Sequence, residues 1–104
     1  MFDYSLADRT VELIAERFSP EKIIIFGSVA RREASETSDL DLLVVMESDR
    51  PDHERAVPIY VAVAGIRVPK DILVMTPEEF DRSRIDPTSF TSKIVRTGVV
   101  AYEA

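Results

Sequence analysis

Lys22-Ile23-Ile24-Ile25-Phe26-Gly27-Ser28-Val29-Ala30-Arg31, followed by Ser38-Asp39-Leu40-Asp41-Leu42-Leu43-Val44, decides how this chain folds. Residues 22–26 are a short β-branched run of the buried-strand kind, and Leu40 to Met46 repeats that character. Between them Gly27-Ser28 stops the first strand. Ser28 to about Arg32 or Ala34 suits a short helix, and the polar residues 33–38 suit a loop. Asp39 and Asp41 stand two apart at the entry to the second strand, so they project from one face of it.

Working outward, Ser5 to Phe18 has the spacing of an amphipathic helix, with Leu6, Val11, Leu13, Ile14 and Phe18 facing inward. Ser5 or Asp8 is its expected cap, and Ser19-Pro20 its end. Glu47 to Asp52 is a charged turn. Residues 52–65 are helical in part, with Pro58 starting or interrupting the helix. Arg67 to Met75 reads as a third strand, which Pro69 directs to a sheet edge or a bulge. Thr76-Pro77-Glu78-Glu79 opens a helix running to Arg84, with Thr76 as N-cap and Glu79 completing a capping box. A last helix spans Thr88 to Thr97. Gly98 follows it, and Val99 to Tyr102 forms an edge strand or a packed tail. Strands alternating with helices indicate an α/β or α+β layer, with helices packed on a mixed β-sheet, as a single unit over residues 1–104.

Composition narrows the function. Among 104 residues, 45% are apolar and 31% charged, as in soluble globular domains. The absence of cysteine excludes disulfides and thiolate metal sites, and a lone His53 cannot build a zinc site. The net charge of −6 argues against strong general binding to nucleic acid, and favours a small anion carried in with metal, or a basic protein partner. Residues 1–5 do not read as a signal peptide, and no apolar run approaches the ~20 residues of a membrane span. A cytoplasmic location without membrane association is expected.

The chemistry-bearing residues each have a plain alternative. Gly27-Ser28 at a strand-to-helix turn can present backbone N–H groups to phosphate oxygens, or can be an ordinary turn with Ser28 as N-cap. Asp39 and Asp41 side by side repel unless a cation lies between them, and magnesium, which takes oxygen ligands and retains places for phosphate and water, is the economical solution. The alternative is a solvated strand entry. Asp71 interrupts an otherwise apolar strand and is the best third carboxylate, unless it pairs with Lys70 or Arg67 on an exposed edge.

Taken together, these features match the pattern Gly-Ser-x10-Asp-x-Asp without a gap. The stretch Phe26-Gly27-Ser28-Val29-Ala30-Arg31 … Thr37-Ser38-Asp39-Leu40-Asp41-Leu42-Leu43-Val44 resembles the minimal nucleotidyltransferases of the DNA polymerase beta superfamily. Val68-Pro69-Lys70-Asp71-Ile72-Leu73-Val74 resembles the third-carboxylate strand of that family, and Ile94 to Glu103 its closing helix, glycine and strand.

The resemblance implies a nucleotidyltransferase fold and a set of roles. Asp39, Asp41 and Asp71 are the implied metal-binding and catalytic carboxylates for two Mg2+ ions, with Asp71 helping to activate the acceptor hydroxyl. Gly27 and Ser28 would cradle the β- and γ-phosphates of ATP, and Arg31 would contact phosphate or an acidic neighbour, or lie in solvent. Larger members carry further domains for the base and the acceptor, and this chain has no room for one, which disfavours a small-molecule acceptor. Minimal members typically pair with a HEPN-domain toxin and act as its antitoxin by attaching AMP to a tyrosine. The implied activity is therefore transfer of a nucleoside monophosphate, AMP, to a protein hydroxyl of a cognate HEPN protein. The alternative is a binding module that neutralises its partner by occlusion. Oligomerisation is left open. One position departs from the family: Arg32 stands where Gly is usual. A positive φ there would cost Arg roughly 1 kcal/mol; alternatively Arg32 adds a cation near the phosphates.

Overall fold

A computed structural model describes residues 1–104. The chain runs α1 (Tyr4–Phe18), β1 (Lys22–Phe26), α2 (Gly27–Ala30), β2 (Leu40–Val45), a 3-10 turn (Asp52–Glu54), α3 (Val57–Val63), β3 (Lys70–Met75), α4 (Pro77–Arg84), α5 (Phe90–Thr97) and β4 (Val99–Glu103). The four strands form one mixed sheet in the order β3-β2-β1-β4. β1 is antiparallel to β2 and to β4, while β2 and β3 are parallel. The expected mixed sheet is therefore present, with β3 at one edge as Pro69 indicated and the tail closing the other edge as β4.

The local signals explain most boundaries. Thr76 accepts from the Glu79 backbone N–H while the Glu79 side chain accepts from the Thr76 N–H, a complete capping box at the head of α4. Pro58 sits in the first turn of α3, where a missing N–H costs nothing, so it starts that helix. Several boundaries differ from the sequence reading: β3 begins at Lys70 and not at Arg67, and α2 at Gly27 and not at Ser28. Asp3 caps α1, in place of Ser5 or Asp8, because its carboxylate reaches the Ser5 N–H at 2.9 Å. Ser89 caps α5, so that helix begins at Phe90 and not at Thr88.

The two faces of the sheet are covered unequally. On one, α1 and α3 enclose a core of 15 buried residues, including Ile14, Ile23, Ile25, Leu40, Leu42, Val44, Ile59, Val63 and Ile72. Val11 and Ile14 of α1 are buried there, while Leu6, Leu13 and Phe18 pack at its margin. On the other face, α4 and α5 bury only Ile24, Leu43, Val45, Phe80 and Ile94. Those residues lie toward the Lys22–Val45 end of the β1–β2 pair, so the opposite end of this face, the row Phe26–Asp41, is left open. No helix is long and apolar enough to cross a membrane.

Gly98 lets α5 close on β1. A Cβ there would meet Ile94 O at 2.6 Å, Ile24 Cγ2 at 2.8 Å and Ile25 O at 2.8 Å, and two of these atoms are backbone that cannot move aside. Gly98→Ala is therefore expected to destabilise the fold by about 1–3 kcal/mol, as overpacking typically does. Thermal denaturation checks this, and an unchanged melting temperature would show that α5 is not pressed onto the sheet.

Candidate active site

Strand register builds the site. Phe26 of β1 pairs with Asp41 of β2, and Asp41 pairs with Asp71 of β3. Residues paired in this way share a face, so the two carboxylates stand side by side on the open end of the sheet. Asp39, two residues before Asp41, projects the same way just ahead of β2. Asp39 and Asp71 are exposed and Asp41 is half-buried. Neither Lys70 nor Arg67 pairs with Asp71: the Lys70 ammonium donates to the Ile66 carbonyl at 2.9 Å, on the other face. Asp71 is thus an unpaired acid facing the site.

Gly27 completes the row. Its φ of 74° is a left-handed conformation that favours glycine, and a Cβ at this position would overlap Asp41 Oδ2. The turn and the carboxylate touch. Ser28 is not the N-cap of α2, which Phe26 fills without a side-chain bond.

Electrostatics single out Asp41. Its pKa is raised above the ordinary carboxylate value by partial burial first, then by the negative charges of Asp71 and Asp39, with Arg31 pulling the other way. That is a donor set seeking positive charge. The three carboxylates do not close around a single point as a three-ligand cage. They form an open row, so a divalent cation held there would draw part of its shell from water and phosphate.

A cleft of about 220 Å³ adjoins the row. β1 and α2 contribute Phe26, Gly27 and Arg31 to its wall, β2 contributes Asp41, and α5 contributes Phe90, Lys93 and Thr97. Of the residues expected from the sequence, the cleft gathers Gly27, Arg31 and Asp41, while Ser28, Asp39 and Asp71 lie outside its walls. Arg31 lines the cleft and pairs with an acidic neighbour, Glu33, at 3.1 Å.

Arg32 has a different place from the one its charge suggested. Its φ is 59°, so the position does require the left-handed conformation. Its guanidinium lies 4.4 Å from the Tyr4 ring centroid, on the α1 side and not in the cleft. A cation–π contact of about 0.5–1 kcal/mol offsets much of the backbone cost. The residues missed by sequence reasoning are Phe90, Lys93 and Thr97. Their i, i+3, i+7 spacing marks one face of a helix, but nothing local says which way that face turns.

The raised pKa has a consequence for stability. The folded chain holds the Asp41 proton more tightly than the unfolded chain does, so this group favours folding at low pH. The contribution declines as pH rises from the unfolded value through the folded one. At neutral pH, without metal, the ionised Asp41 is a net cost. Asp41→Asn should raise the melting temperature at pH 7 in chelator, by an increment that shrinks as pH falls into the carboxylate range. Melting curves across pH check this, and an increment independent of pH would contradict it.

Comparison with known proteins bears on the domain as a whole. Residues 7–96 match the family described as nucleotidyltransferase domain. Among solved structures, the chain is similar to a protein from Sulfolobus solfataricus assigned as a nucleotidyltransferase, at 28% identity and a TM-score of 0.62, over 95% of this chain and 78% of that one. A search of curated proteins finds no significant match. A match over residues 7–96, most of the chain, means that the chain belongs to the nucleotidyltransferase domain family.

Proposed function

We propose that the protein transfers AMP from ATP, in the presence of Mg2+, to a hydroxyl of a partner protein, a tyrosine of a HEPN-domain toxin, and so acts as an antitoxin. The observation that carries the transfer chemistry is the Phe26–Asp41–Asp71 row, with Gly27 against Asp41. A protein acceptor is supported by how open the row is. Asp71 sits on an edge strand with no element beyond it, so the acceptor oxygen has a free approach from that side. The HEPN partner follows from the family resemblance of the motifs.

In this reading the acceptor hydroxyl forms a bond to the α-phosphorus, and the bond from that phosphorus to the α–β bridging oxygen breaks. Pyrophosphate leaves, and the hydroxyl proton passes to the Asp71 carboxylate. Bound Mg2+ supplies neutralisation of phosphate charge and orientation of the triphosphate. The chain's own part is positional. β2 and β3 hold Asp41 and Asp71 in register, Gly27 leaves room beside Asp41, and Arg31 offsets negative charge.

The test is to incubate the chain with the product of its neighbouring gene, ATP and Mg2+, and to read the partner's intact mass. An AMP increment on the partner is expected. Asp41→Asn or Asp71→Asn should slow its appearance by about 10²-fold or more, the scale on which losing one group that stabilises transition-state charge is felt. No increment, together with neutralisation that survives Asp39→Asn plus Asp41→Asn, would overturn the enzyme reading and favour occlusion.

A further inference from the structure

We propose that Lys93, on α5, holds the β- and γ-phosphates of the incoming nucleoside triphosphate. The inference deepens the nucleotidyl-transfer reading and rests on it. Lys93 lines the cleft that Gly27 and Asp41 also line, although it lies 52 residues further along the chain than Asp41 (93 minus 41). Its side chain is uncommitted. Lys22 pairs with Glu103 at 3.2 Å and Lys70 donates to the Ile66 carbonyl at 2.9 Å, whereas Lys93 has neither an ion pair nor a carbonyl partner. Arg31, the other cation of the cleft, is already bound to Glu33. Thr97, one turn along α5, donates its hydroxyl to the Lys93 carbonyl at 2.8 Å and is not free for a ligand.

Lys93 is exposed, so its ammonium is free to meet an anion in the cleft. Asp41 is the acid of the cleft, and no ion pair joins it to Lys93. The two side chains line the cleft together without pairing. A polyanion laid along the Gly27 turn fits between them and would meet Lys93 through charge-assisted hydrogen bonds. This gives the site a direction: the outer phosphates lie toward α5, the α-phosphorus over Asp41, and the acceptor toward Asp71 on the β3 edge. Pyrophosphate then leaves on the side away from the acceptor, as in-line displacement requires.

Calorimetric titration with ATP, ADP and AMP, each with Mg2+, tests the assignment on the unaltered chain, Lys93→Ala, Lys93→Arg and the remote control Lys22→Ala. Lys93→Ala should weaken ATP binding about 10- to 100-fold, ADP binding by less, and AMP binding by no more than about 2-fold. Lys93→Arg should keep ATP affinity within about 3-fold, because the charge remains. Lys22→Ala should match the unaltered chain. ATP affinity unchanged in Lys93→Ala, or an equal loss for ATP and AMP, would overturn the assignment of Lys93 and leave the site itself standing. No ATP binding by the unaltered chain would refute the nucleotide site, and Lys93 with it.

Discussion

Gly27 lies so close to the Asp41 carboxylate that no side chain fits between them. The rest of the site depends on that contact, because it ties the turn after β1 to the acid row of β2 and β3. β1 and β2 are antiparallel neighbours whose register puts Phe26 beside Asp41, so the turn that leaves β1 emerges next to the acid. β2 and β3 are parallel, and their register sets Asp71 on the far side of it. Residues far apart in sequence thus form one line across the sheet, held by backbone hydrogen bonds and not by contacts among the acids, which repel.

Unequal coverage of the sheet keeps that line accessible. α1 and α3 seal one face, and burial there supplies most of the hydrophobic stabilisation. α4 and α5 cover only part of the other face. Closing that face fully would add apolar burial and destroy the cleft. The half-buried Asp41, costly when ionised and unaccompanied, is the local expression of the same compromise.

The parts of this design that repeat with a simple period were legible in the sequence. Residues 22–26 and 40–45 announce buried strands, and a two-residue period places Asp39 and Asp41 on one face without knowledge of the neighbours. Asp71 was legible as an acid interrupting an apolar strand, although its place beside Asp41 could not be named until register was known. Thr76 and Glu79 announced their helix because a capping box is a local device. Residues whose role depends on tertiary packing were not legible. Arg32 reads as a cation near phosphate, yet the left-handed backbone there turns it onto Tyr4. Phe90 and Lys93 read as ordinary helix residues, because the rotation of α5 is set by Ile94 in the small core and by Gly98 against β1.

The central claim is that the open end of the sheet, from Gly27 across Asp41 to Asp71, is where divalent metal and triphosphate meet. Paramagnetic broadening by substoichiometric Mn2+ in a two-dimensional amide NMR spectrum tests it most directly. The account predicts that the amides of Gly27, Ser28, Asp41 and Asp71 broaden first, and that Asp41→Asn abolishes this selectivity. Broadening spread over the surface carboxylates of α1 and α4, with the Gly27–Asp41 region unaffected, would contradict it.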